Sequence, residues 1–430
     1  MMPGPREFNR EAIPLRRELH RHAERGWEEF WTSAFVAQRL GSLGFNVLLG
    51  DEVIDVDSAM GRPPLEVLQE ARERAAEWGA PADLLDRMGL LTGVVGILDT
   101  GRPGPVTAFR FDLDAVEVWE SRDPDHRPFS EGFAALDDGV AHACGHDGHT
   151  AMGLVLARWI SQNLDALRGT FKFLFQPAEE GVRGGRSMVQ RGHLDRVDVL
   201  WGLHLGVGFP SGTVGAGCSD FLCTTKMDVL FRGVAAHAGG APHEGRNALL
   251  AAASAVLGLH SIAPHGGGAS RINVGMLRAG TGRNVIPDRA ELALETRGAS
   301  EEINAYMESR AMEVMRGAAV SQGVDLEVTL AGGAVNAESH PELMDLVMKK
   351  AVHLEGVERV EREGRISGSE DVSWMMRRVH DMGGRACYII LGADTAAGHH
   401  NGRFDFDEDV LGVGVALLAS LALELAGSGR

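Results

Sequence analysis

At 430 residues the chain is too long for one ordinary hydrophobic core, so two domains are expected. Hydrophobic content of 44% with 24% charged residues is that of a globular enzyme, and a formal net charge of −18 argues against nucleic acid or an anionic membrane surface as partner. Cys144, Cys218, Cys223 and Cys387 are too sparse for a disulfide framework and fit a reducing compartment.

The N-terminal residues, Met1 to Phe8, lack an apolar stretch followed by a small-residue cleavage site, so no secretory leader is expected. Residues 6–43 read as two helices, with Leu15 and Leu19, then Phe35, Val36 and Leu40, at helical spacing. An Ala/Glu/Arg-rich helical pair follows at 65–88; it carries no candidate ligand and reads as an external insertion. Strands and helices then alternate: strands at 92–98 and 106–111, a helix at 150–160, strands at 170–175 and 197–203. This alternation predicts an α/β sheet with helices on its faces, whose chemistry gathers beyond the carboxyl ends of the strands.

Between 219 and 332 the order becomes strand, helix, two strands, helix, strand, the split βαβ unit. The expected organisation is therefore a catalytic domain of residues 1–218 and 333–430, a mixed-sheet α/β/α unit, with a smaller α+β, ferredoxin-like domain of residues 219–332 inserted in it. Helices at 341–354 and 371–378, a strand at 386–391 and a terminal helix complete the first domain. The longest apolar run, 413–425, carries Glu424 and is too short to span a bilayer, so no membrane association and a cytoplasmic protein are expected.

The stretch from His142 to Thr150 holds three histidines, an aspartate and a cysteine in nine residues. A thiolate and an imidazole two positions apart, Cys144 and His146, can reach one metal centre; a lone Cys-Gly-His would be weak evidence, because a buried cysteine is usually just a small apolar residue. Three further segments supply N or O donors past predicted strands: Glu179 and Glu180, His204, and His400. A Glu pair is commonly a solvated turn, but Phe171 to Pro177 is too apolar to lead into an idle one. One carboxylate can then bind metal while its neighbour holds a water as general base. Sulfur, nitrogen and carboxylate oxygen together suit zinc, and with more oxygen manganese. Asp112 and Asp114 share one face of an extended segment and suit supporting roles, orienting a histidine and fixing its tautomer; Asp147 is placed with them. In the inserted domain His237, Asn284 and Arg297 stand out, although composition alone leaves them as turn, cap and solvated strand end.

The order of His-Ala-Cys-Gly-His-Asp-Gly-His, Gln-Pro-Ala-Glu-Glu-Gly, Gly-Leu-His, a His-Ala turn, Asn-Val-Ile-Pro and Gly-Ser-Glu-Asp-Val (368–372) resembles the zinc-peptidase superfamily of aminoacylases and hippurate hydrolases. Within it the chain is most similar to the branch with auxin-conjugate and p-aminobenzoyl-glutamate hydrolases, and the helical insertion at 65–88 favours the latter. Gly402 departs from the pattern, since relatives often carry proline there. The resemblance covers nearly the whole chain.

It implies two divalent metal ions per chain (Zn or Mn) held by Cys144, His146, Glu180, His204 and His400, with Glu179 as the base. It further implies that His237 is a lid histidine that in dimeric relatives reaches the partner's site, that Asn284 and Arg297 lie near the substrate carboxylate, and that the inserted domain makes a homodimer. The implied reaction is hydrolysis of the amide of an N-acyl or N-aroyl amino acid by a metal-bridging hydroxide. Two alternatives are hydrolytic deamination of an activated aromatic amine on the same centre, and a catalytically dead metal-binding scaffold.

Overall fold

The computed structural model describes residues 2–364 and 368–427. Two compact units result: one holds the chain up to Asp220 and from Ala337 onward, the other Phe221–Asn336 with the short return at Ser369.

In chain order the strands are β1 (Asn46–Leu49), β2 (Val94–Asp99), β3 (Val106–Asp112), β4 (Thr170–Gln176), β5 (Val199–Leu205) and β6 (Thr213–Gly215), then β7 (Cys223–Arg232), β8 (Ala236–His237), β9 (Ser270–Ala279), β10 (Val285–Ile286), β11 (Arg289–Gly298) and β12 (Asp325–Ala334), and finally β13 (Arg359–Glu361) and β14 (Arg385–Leu391). In the first unit one mixed sheet runs β1-β2-β4-β3-β5-β14-β6-β13. Its heart, β4-β3-β5-β14, is parallel, and β1 and β2 are antiparallel additions at one side. All seven residues of β5 are buried, as a strand covered on both faces requires. The helices Pro5–Arg21, His146–Gln162 and Val410–Ala426 pack on one another over this sheet. Close approach is bought with glycine: a β-carbon at Gly153 would lie 2.6 Å from the Phe111 ring on β3.

Of the boundaries that differ from expectation, two concern site residues. The helix expected from 150 starts at His146, directly after Gly145 turns the chain at φ 90°, so the motif itself forms the first turns. Strand β5 continues to Leu205 instead of ending at 203, because His204 and Leu205 still ladder in parallel with Ile390 and Leu391. His204 therefore sits in the last rung of the strand rather than beyond it.

In the second unit β7, β9, β11 and β12 form an antiparallel sheet in the order β12-β7-β11-β9. Alternate residues Met227, Val229 and Phe231 of β7 and Ala290, Leu292 and Leu294 of β11 are buried with residues of the helices Ala248–His260 and Glu301–Gln322. Both helices carry side-chain N-caps, Asn247 accepting from Leu250 N–H and Ser300 from Ile303 N–H. A separate two-stranded ladder pairs β8 with β10.

Candidate metal centre

Four chain segments converge at the ends of the parallel strands. The donor atoms of Cys144, His146 and His204 all lie within 4.8 Å of one another, as do those of Cys144, Glu180 and His400, and those of His146, Glu179 and Glu180. Cys144 belongs to two of these triads and His146 to two, so one continuous cluster unites all five expected ligands and Glu179. Within it Cys144 Sγ is 3.6 Å from His204 Nε2, and His400 Nε2 is 3.2 Å from Glu180 Oε1. The two most distant segments are stitched by main chain: His400, at φ 63°, donates its N–H to the Ala143 carbonyl at 2.8 Å.

Hydrogen bonds set the face each histidine presents. His146 Nδ1 gives its proton to the Asp114 carbonyl at 2.9 Å, and His204 Nδ1 donates to the Leu205 carbonyl at 2.8 Å. Each ring thereby turns its Nε2 toward the cluster, and His146 Nε2 is buried with no hydrogen-bond partner among the described residues. Burial, and next the negative charge of Glu180, push the Cys144 thiol well up. A divalent cation reverses that field and makes the thiolate the stable form. The S, N and O donors and the orphaned ring nitrogen thus fit a divalent metal.

The carboxylates ride on a strained loop. Ala178 and Val182 adopt φ of 51° and 58°. Three buried acids hold that shape. Glu29 Oε1 accepts the Ala178 N–H at 2.7 Å, Asp114 accepts those of Glu179 at 3.0 Å and Glu180 at 2.8 Å, and Asp371 Oδ2 accepts those of Gly184 at 3.0 Å and Gly185 at 2.7 Å. Burial, then the charges of Glu370, Asp371 and Glu180, raise Glu179 well above the usual carboxylate range.

The profile of peptidase family M20/M25/M40 matches residues 108–424, a span that includes every residue of this cluster. This chain belongs to that family. It is 50% identical over 428 residues to the indole-3-acetyl-aspartic acid hydrolase of Enterobacter agglomerans, covering 98% of both chains. It is 49% identical over 410 residues to a p-aminobenzoyl-glutamate hydrolase chain of Escherichia coli K12, covering 95% of this chain and 94% of that one. Among solved structures, an aminobenzoyl-glutamate utilization protein from Klebsiella pneumoniae superposes with a TM-score of 0.84 at 45% identity, over 98% of this chain and 97% of that one. The M20 member is accordingly a metal-dependent amide hydrolase.

Three supporting residues of the M20 chain do not all stand where the sequence pattern puts them. Asp114 does support the cluster, through its carbonyl to His146 and its carboxylate to the glutamate loop. Asp112 supports a different histidine. Its Oδ1 receives the Nδ1 proton of His149 at 2.6 Å and its Oδ2 pairs with Arg110 at 2.6 Å, whereas His146 Nδ1 is 3.9 Å away. Asp147 orients no ligand. Its carboxylate takes Arg16 Nε at 2.7 Å and His20 Nδ1 at 2.8 Å, because the first turn of its helix points it back at Pro5–Arg21. Arg110 and Glu29 do not stand out in the sequence, and His149 and Asp371 lie in the quoted motifs without being assigned a role. Arg110 could have been found from its i, i+2 relation to Asp112, which puts both on one face of β3.

Within the second unit His237 and Asn284 come together: His237 on β8 pairs with Val285 on β10, and Ala238 N–H donates to the Asn284 carbonyl at 2.9 Å. His237 Nδ1 accepts from Gly239 and Gly240 N–H at 3.1 and 2.9 Å, so its Nε2 carries the proton. Arg297 does not join them. The β8–β10 ladder lies at the Arg289 end of β11, where Gly233 N–H bonds Asp288, and Arg297 is near the opposite end, opposite Thr224 and Arg271. Its guanidinium pairs with Glu295 at 2.8 Å. At a rise of ~3.4 Å per residue the two ends are about 27 Å apart, so Asn284 and Arg297 of one chain cannot grip the same carboxylate as expected.

Proposed function

We propose that Cys144, His146, Glu180, His204 and His400 hold two divalent cations, zinc or manganese, and that Glu179 is the base in hydrolysing the amide of an N-acyl or N-aroyl amino acid. The observation that carries this reading is the buried, unpartnered Nε2 of His146 inside a ring of sulfur, nitrogen and carboxylate donors. The names of the relatives point to the substrate class, an aromatic acyl group joined to aspartate or glutamate.

A divalent cation held by these residues would polarise the scissile carbonyl and acidify a water. Glu179, buried among other carboxylates, takes the proton from the attacking water and returns it to the departing amide nitrogen. His237, protonated on Nε2, donates to the oxyanion as it forms. Arg297 and Asn284 each suit a carboxylate of the amino acid, from separate positions.

The unit Phe221–Asn336 serves in this reading as a lid and as the contact for a homodimer, which lets His237 with Asn284 and Arg297 reach one site from two different copies. Four cysteines in a chain of 430 residues are too sparse for a disulfide framework, which favours the cytoplasm. No helix among the described residues is long and apolar enough to cross a membrane.

The test is an activity screen over N-aroyl and N-acyl amino acids with added zinc or manganese, alongside metal analysis by mass spectrometry. Release of the free amino acid with two metals per chain is expected. Active protein with less than one metal per chain ends the two-metal assignment, and ammonia release from amino-aromatic acids would replace amide cleavage by deamination.

A further inference from the structure

Trp119 is the most exposed aromatic side chain in the first unit, with 73% of its surface open. Scattered exposed apolar groups are ordinary. This one differs in what holds it. Its segment is locked to the turn that follows His400: Ser121 N–H donates to the Gly402 carbonyl at 2.7 Å, and Arg403 reaches Asp123 at 2.6 Å and Asp125 at 2.9 Å. Glu120, the next residue, is buried against His20 at 2.9 Å and the Ala135 N–H at 2.6 Å. The backbone that follows this large ring is therefore pinned while the ring itself is left in water.

The departure at Gly402 belongs to the same construction. A β-carbon there would lie 2.0 Å from the Trp119 main-chain carbonyl oxygen, so Gly402 lets the two backbone segments meet. One edge of the indole lies by Gly139, where a β-carbon would meet Cε2 at 3.7 Å. His400 is the open member of the donor cluster, with its side chain 56% exposed. Gly402, which the Trp119 segment holds through Ser121, lies two residues past this open donor.

We infer that Trp119 is the platform on which the planar acyl group of the substrate stacks, and so sets a preference for aroyl and indolyl amides over aliphatic ones. This rests on the amide-hydrolase reading above. An indole offers a large flat apolar face at little cost in side-chain freedom, which suits a ring that need not be enclosed.

The experiment compares kcat/KM for N-benzoyl-glutamate and N-acetyl-glutamate in the metal-loaded wild type, Trp119→Ala and Trp119→Phe, with inhibition by benzoate against acetate as a binding readout. The benzoyl-to-acetyl ratio should fall about tenfold in Trp119→Ala, mainly through KM, and survive in Trp119→Phe. Benzoate should inhibit Trp119→Ala more weakly by a similar factor. An unchanged ratio and unchanged benzoate inhibition overturn the platform while leaving amide hydrolysis intact. A wild type that cleaves neither amide overturns both.

Discussion

His146 and Asp114 are joined through main chain rather than through the aspartate's side chain: the Nδ1 proton of His146 goes to the Asp114 carbonyl at 2.9 Å. That arrangement frees both carboxylate oxygens of Asp114 for the N–H groups of Glu179 and Glu180. A single residue thus orients the ring of one donor and the backbone of two others. Asp114→Asn keeps the carbonyl but presents an NH2 to one of those N–H groups. Metal affinity or kcat should drop by about 10–100-fold, the usual cost of losing an outer hydrogen bond at such a centre. Metal titration with turnover would check it; wild-type values in both would mean the loop holds itself.

Glu179 and His204 separate the roles inside the cluster. Glu179→Ala should keep its metal and lose about 10²–10⁴ in kcat, whereas His204→Ala should lose metal. Metal content and single-turnover rates on the same samples decide the matter. Normal turnover in the Glu179 variant removes it as base.

The cluster was legible because its residues fall near the carboxyl ends of strands that an apolar pattern reveals, and because Cys144 and His146 share one short motif. The supporting ionic network was not, since its partners are remote in sequence. Arg16 is fully buried against Asp147 at 2.7 Å, Asp405 at 2.9 Å and Glu408 at 3.2 Å, and Arg110 meets Asp371 at 3.3 Å. Composition alone would set all five arginines of Pro5–Arg21 facing solvent. The signal was there in the four-residue spacing Phe8, Ala12, Arg16, His20, which puts Arg16 on the buried face. The separation of Arg297 from Asn284 was equally hidden, because strand length and the direction of β11 set it rather than any motif.

His149 is the third histidine of the motif and lies close enough to His146 and Asp112 to complete a donor triad. Its ring is already committed at both ends, however: Nδ1 to Asp112 at 2.6 Å and Nε2 to the Leu205 N–H at 3.0 Å. It ties β3 to the end of β5, next to His204. His149→Ala should therefore leave metal stoichiometry unchanged at saturating metal and lower stability by about 1–3 kcal/mol, the cost of leaving buried polar groups unmatched. Denaturant unfolding and metal analysis test this together; loss of a metal equivalent at saturation would make His149 a ligand.

Glu29 gives the loop a pH dependence. Burial, and next the charge of Asp114, raise its carboxyl from an ordinary 4.5 to about 8. The folded chain then binds a proton between those values that the unfolded chain has released. Stability from this group is fully present below the unfolded value and is lost as pH rises through about 8. Glu29→Gln mimics the protonated form: its carbonyl can still accept the Ala178 N–H, and the Thr92 hydroxyl, which donates to Glu29 at 2.7 Å, can turn to accept instead. In metal-free protein the wild-type unfolding midpoint should decline between about pH 5 and 9, and the Gln variant should decline less steeply. Circular dichroism melts across that range supply the comparison. Parallel slopes would mean that Glu29 is ionised throughout and that the strained turn at Ala178 is held by a charged acceptor.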